Sequence, residues 1–153
     1  MATKTKTAKT AYRRVVTEAE KIRNDEPAML TVLDPGDVVR QGDVYMIRLG
    51  AELPAKAADW EGRQVAKGTT QGSRHTAEGP CELFEPEEDS AASVLAKLIP
   101  ATSDHQQFFG PVIRASEAWT LAHPEHGDRT VPAGDYLIVQ QRAFAQTLRR
   151  AAD

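Results

Sequence analysis

Three phrases of one form constrain this chain more than any other feature: Pro35-Gly36-Asp37-Val38, Gln41-Gly42-Asp43-Val44 and Ala133-Gly134-Asp135-Tyr136. In each, a Gly-Asp pair precedes an apolar run rich in β-branched residues. Glycine there supplies the positive φ that a tight turn demands, and Asp tolerates the turn. Turns followed directly by apolar runs predict short strands joined by tight connections. No repeat of about 20 to 50 residues accompanies them, so the shared form is turn chemistry and not duplication.

The rest of the chain fits a β-rich reading. Tyr12, Val15, Val16, Ala19 and Ile22 recur at helical spacing, and Asn24 and Pro27 end the pattern, which predicts an amphipathic helix over residues 11–24. Short apolar runs follow at 30–33, 44–49 and 81–84, then at 112–115, 118–122 and 136–142. The run at 44–49 alternates imperfectly, as a strand buried on both faces does. Residues 63–67 and 73–78 are placed to pair around Gly68 and Gly72, and 51–62 and 106–111 read as irregular. Residues 93–99 fit a helix or a strand, and 143–152 fit a short C-terminal helix. The fold expected is mainly β, a small antiparallel barrel or sandwich of jelly-roll type. It would form one domain over residues 11–153, after a flexible basic arm at 1–10 with no large apolar residue past Met1.

A length of 153 residues suits a single domain, and a net charge of −3 gives no global field for nucleic acid or an anionic membrane. The charge is unevenly spread. Lys4, Lys6, Lys9, Arg13 and Arg14 precede the first acidic residue, whereas Glu82, Glu85, Glu87, Glu88 and Asp89 gather mid-chain. Such a distribution suits a protein partner or self-association, and the basic stretch suits contacts to a nucleic-acid backbone. Cys81 is the sole cysteine, so nothing asks for an oxidising compartment. No apolar run reaches about 18 residues, and the N-terminus has no apolar signal core, so a cytoplasmic protein without a membrane span is expected.

The densest candidate for chemistry is His123-Pro124-Glu125-His126-Gly127, with His75 in a second turn-rich stretch. Imidazole and carboxylate groups are ligands for zinc, manganese or iron. His75, His123, Glu125 and His126 are therefore the candidate metal ligands, in exposed turns at one mouth of the fold. Pro at the second position and Gly at the end equally describe a plain polar turn.

Two resemblances attach to these residues. The stretch Gly127-Asp128-Arg129-Thr130-Val131-Pro132-Ala133-Gly134 resembles part of the second cupin box, and His75 with Glu78 stands where the first box would be. The resemblance implies a jelly-roll-like turn; Asp135 stands near where that family carries a metal-binding histidine. The phrases Gln41-Gly42-Asp43-Val44, the Gly-rich stretch ending at His75, His123-Pro124-Glu125-His126-Gly127 and Pro132-Ala133-Gly134-Asp135-Tyr136, running to Gln141-Arg142, resemble a set of short, uncharacterised bacterial proteins. That likeness covers roughly residues 41–153 and implies no activity.

Cys81 with His75, and Ser93 with Lys97, are weaker candidate pairs for nucleophilic chemistry. Residues 68–72 lack the Gly-Lys-Ser/Thr ending of a phosphate-binding loop. The function expected is a non-enzymatic binding or assembly module. The alternatives are a small metal-dependent enzyme using the histidines and a nucleic-acid accessory protein using the basic arm.

Overall fold

The computed structural model describes residues 26–66, 74–103 and 107–140. The predicted arm at 1–10, with Lys4, Lys6, Lys9, Arg13 and Arg14, lies outside them. So do the predicted helices at 11–24 and 143–152, and His105.

The described chain forms two packed sheets, which is a sandwich and not a closed barrel. The larger has the order β2-β3-β10-β7-β6-β4: β2 is Val38–Gln41, β3 Val44–Arg48, β4 Lys56–Asp59, β6 Cys81–Pro86, β7 Phe109–Ala115 and β10 Gly134–Gln140. The smaller has the order β1-β9-β8-β5: β1 is Ala28–Met29, β5 Thr76–Glu78, β8 Trp119–Ala122 and β9 Arg129–Val131. All pairings are antiparallel except β1 with β9.

The three Gly-Asp phrases do what their chemistry predicts. Gly36, Gly42 and Gly134 all have positive φ, and β2, β3 and β10 start at or just after them. β10 lies between β3 and β7, and its residues Tyr136, Leu137, Ile138 and Val139 are wholly buried. Apolar residues buried on both faces make it the spine of the larger sheet. Trp119, Leu121 and Val131 of the smaller sheet join the same core, and the Trp119 ring meets Tyr136 edge-on at 5.4 Å.

Of residues 93–99, all but Ile99 lie in a helix, α1, spanning Glu88–Leu98. Ala91, Val94 and Leu95 form its buried stripe, while Glu88 and Asp89 occupy the first turn and Lys97 the last. That charge order suits the helix dipole. Of the acidic residues gathered mid-chain, Glu82 and Glu85 lie in β6, and Glu88 and Asp89 open the helix. Two further expectations are corrected. β4 lies inside the segment read as irregular, where its exposed Lys-Ala-Ala-Asp has no apolar pattern to betray it. Residues 30–33 are not a strand; only Ala28 and Met29 pair.

Candidate functional site

The histidine cluster forms where the turns of the two sheets meet at one rim. Gly42 and Asp43 are the two-residue turn between β2 and β3, with Gln41 paired to Val44. Gly42 has φ +56° and Asp43 does not have positive φ, which is the pattern of a type II′ hairpin turn. Opposite it, residues 123–128 connect β8 to β9, and His75 leads into β5. Val65 donates its backbone N–H to the His75 carbonyl at 2.9 Å, and Gln64 bridges to Thr76. The predicted pairing of these two stretches is therefore present.

The structure brings three of the four candidate ligands together. The His75 ring centroid lies 4.5 Å from that of His123 and 6.2 Å from that of His126, and His123 and His126 are 4.4 Å apart. The fourth, Glu125, is exposed and joins through its backbone: its N–H and that of His126 donate to His123 Nδ1 at 3.0 and 3.1 Å. The expectation of exposed turn residues is corrected for two of these histidines. His75 is 0% exposed and His123 7%, because the two turns pack on one another. His126 is half-buried.

Two residues that sequence spacing did not single out complete the cluster. Gln41, wholly buried, donates from Nε2 to the carbonyls of Leu121 and Gly127, both at 2.9 Å, and so ties β2 to the smaller sheet. With both amide protons so placed, its Oε1 faces His75 Nδ1 at 2.9 Å and accepts a hydrogen bond from it. The other His75 nitrogen, Nε2, stands 2.9 Å from Asp43 Oδ1. The Asp43 side chain is 60% exposed, so the buried ring reaches solvent through this carboxylate. The turn phrase that marked the fold thus also supplies the histidine's two partners.

The hydrogen bonds set the tautomers. His123 Nδ1 accepts two N–H groups, so its neutral ring carries the proton on Nε2. His75 is the reverse, with the proton on Nδ1. Burial pushes the His75 pKa below 6.5, opposed by the hydrogen bond to Asp43; nearby His123 adds to the lowering. His126 is also lowered, by burial first and by His123 next, against Glu125 and Asp43. Arg129, almost fully buried, donates to the carbonyls of Glu26 at 2.6 Å, Gly127 at 2.8 Å and Arg40 at 3.2 Å. It pins the connection carrying the histidines, and burial lowers its pKa against the pull of Asp128. Gly127 is obligatory there, since a Cβ would overlap the Glu26 carbonyl.

Among the described residues, no group of three or more His, Cys, Asp or Glu side chains is arranged to hold a metal ion. The hydrogen bonding explains part of this. The His123 Nδ1 lone pair is committed to the backbone, and the Glu125 carboxylate makes no bond to the rings.

The weaker pairs do not form. Both His75 nitrogens face Gln41 and Asp43, while Cys81 Sγ accepts from Arg63 Nη2 at 3.1 Å. Lys97 pairs with Glu52 at 2.8 Å and not with Ser93. Cys81 lines a cavity of about 570 Å³ with Pro80, Arg114 and Asp135. No helix among the described residues is long and apolar enough to cross a membrane.

Residues 40–141 match the model of a domain of unknown function, DUF8820. The matched span contains Gln41, Asp43 and all three clustered histidines. No curated protein and no solved structure matches the chain.

Proposed function

We propose that this chain, which belongs to the DUF8820 family, is a non-enzymatic binding module whose ligand site is the rim formed by Asp43, His75 and His126. The observation that carries the reading is the His75–Asp43 contact. A wholly buried imidazole, oriented from behind by Gln41, presents one nitrogen to an exposed carboxylate. Burying a polar group is unfavourable unless a polar partner faces it, and here both ring nitrogens face one, the outer of them at the surface. Beside it stands His126, whose side chain makes no hydrogen bond among the described residues. Such a rim offers a small polar ligand one carboxylate and one imidazole on a rigid support.

The test is a chemical-shift titration of the full chain against a panel of small polar metabolites and metal ions. Ligands that bind should move the Gly42 amide and the His75 and His126 ring signals first. Shifts confined to the cavity beside Cys81 and Arg114 would overturn the assignment.

A second reading, contact with a protein partner or a second copy, draws on Met29 and Val32, exposed by 73% and 77% at or beside edge strand β1. Sedimentation of the wild type and Val32→Asp tests it. An association that the substitution weakens supports this reading, and a monomer at all concentrations removes self-association.

A further inference from the structure

We propose that the outer edge of β4 is the surface through which this chain pairs with a second copy of itself. The proposal is independent of the rim and uses a different sheet edge from Met29 and Val32. Sheet edges invite pairing with another chain, and folded proteins cover or guard them. The larger sheet ends in β2 and β4. The β2 edge is covered: Val38, Val39 and Gln41 are buried, and Arg129 donates from Nε to the Arg40 carbonyl at 3.2 Å. β4 is the opposite case. Lys56, Ala57, Ala58 and Asp59 are all exposed, and among the described residues no strand pairs with their outer side.

The β4 backbone shows which groups face outward. Glu87 donates its N–H to the Ala55 carbonyl at 2.8 Å, and Trp60 donates to the Leu83 carbonyl at 3.4 Å, so Ala55 and Trp60 turn their backbone groups toward β6. Neighbouring strand residues turn theirs to alternate sides, so Lys56 and Asp59 present their N–H and C=O groups outward. Pro86, with no N–H to give, stands opposite Lys56, where the β6 side calls for none.

An antiparallel copy satisfies this edge in one register. With Lys56 opposite Asp59 of the copy, and Asp59 opposite its Lys56, each outward residue exchanges two backbone hydrogen bonds with its opposite number. Ala57 then faces Ala58, with no bulky side chain between. The register is self-complementary, as a two-fold axis requires. The charges agree with it. The irregularity between Lys56 and Ala58 brings Lys56 and Asp59 to one face, where they form an ion pair within the chain. Across the two copies these four charges alternate in sign. A lysine on an edge commonly guards against association, but Asp59 turns the same lysine into a contact for a second copy. An exposed ion pair contributes little within one chain, so little is lost when its members turn to the copy. One short strand buries little area, so the dimer is weak and depends on concentration.

Sedimentation velocity of the full chain at low ionic strength, from micromolar to millimolar, should show a reversible dimer that salt weakens. Lys56→Glu puts carboxylates at both positions, and Asp59→Lys puts ammonium groups at both. Each substitution should raise the dissociation constant about tenfold or more, since two attractive cross-strand pairs become repulsive. An equal mixture of the two variants should associate again, because each chain then meets opposite charges, and a variant that had merely failed to fold could not do so. A wild type that stays monomeric at every concentration, a dimer that persists in both variants, or a mixture that does not recover overturns the proposal. A dimer broken by Val32→Asp and by neither β4 variant overturns it as well and gives the contact to the β1 edge.

Discussion

The Oε1 of Gln41 accepts a hydrogen bond from His75 Nδ1 at 2.9 Å, joining two residues 34 positions apart. The same amide donates to two carbonyls of the opposite side, so one side chain both closes the sandwich and sets a histidine's tautomer. Replacing Gln41 by Leu keeps the volume, leaves the His75 Nδ1–H without its acceptor and takes a donor from the Leu121 and Gly127 carbonyls, the second of which keeps Arg129. Each such group costs about 1–3 kcal/mol, and partial relaxation gives an expected loss of about 2–4 kcal/mol. Urea unfolding measures it; a loss below about 0.5 kcal/mol would show that the amide is not the tie described.

Acidification should weaken the metal-free protein early. The folded pKa values of His75 and His126 lie below 6.5, with burial the first cause in each. Above the unfolded value both states are neutral and the stability is fully present. As pH falls from about 6.5 the unfolded chain takes up protons first, and the contribution is lost through the folded pKa values. The melting temperature of EDTA-treated protein should therefore fall between pH 7 and pH 5.5, and less steeply in His126→Gln. A flat profile would contradict the burial described.

Much of this fold is legible in the sequence because turn chemistry is local. The Gly-Asp phrases place the starts of β2, β3 and β10, and the apolar runs mark most of the buried strands. β4 is illegible because an exposed edge strand needs no apolar pattern, and β7 starts at Phe109, three residues before its apolar run. The site was half legible. Histidine density finds His123 and His126, and a turn-rich context finds His75. Gln41 and Asp43 look like turn and strand residues; only folding brings them to His75, and nothing in a linear spacing of 32 or 34 residues signals it. Arg63 on the Cys81 sulfur, 18 residues away, is hidden for the same reason.

Gly42→Ala and Gly62→Ala form an internal comparison. Both glycines have positive φ, +56° and +76°, so both substitutions carry the backbone cost of about 1 kcal/mol. At Gly62 an added Cβ meets open space, whereas at Gly42 it meets His126 at 2.7 Å. Gly42→Ala should cost roughly 1 kcal/mol more by denaturant unfolding and should move the His126 ring signals. Equal losses would mean that the turn does not press on the histidine.

Tyr136 reports on the core. Its hydroxyl donates to the Pro132 carbonyl at 2.7 Å, and burial pushes its pKa up to about 12, against the pull of Arg48. An ultraviolet titration of the folded protein should show Tyr136 still protonated at pH 11, a late step that Tyr136→Phe removes. Ionisation of every tyrosine by pH 10.5 in folded protein would contradict the packing.

The most direct test is the protonation of the His75 ring, read from long-range nitrogen–proton correlations in metal-free protein at pH 7.5. The account requires the proton of the neutral ring on Nδ1, with His123 in the opposite tautomer. A neutral His75 carrying its proton on Nε2 would mean that Gln41 does not direct it.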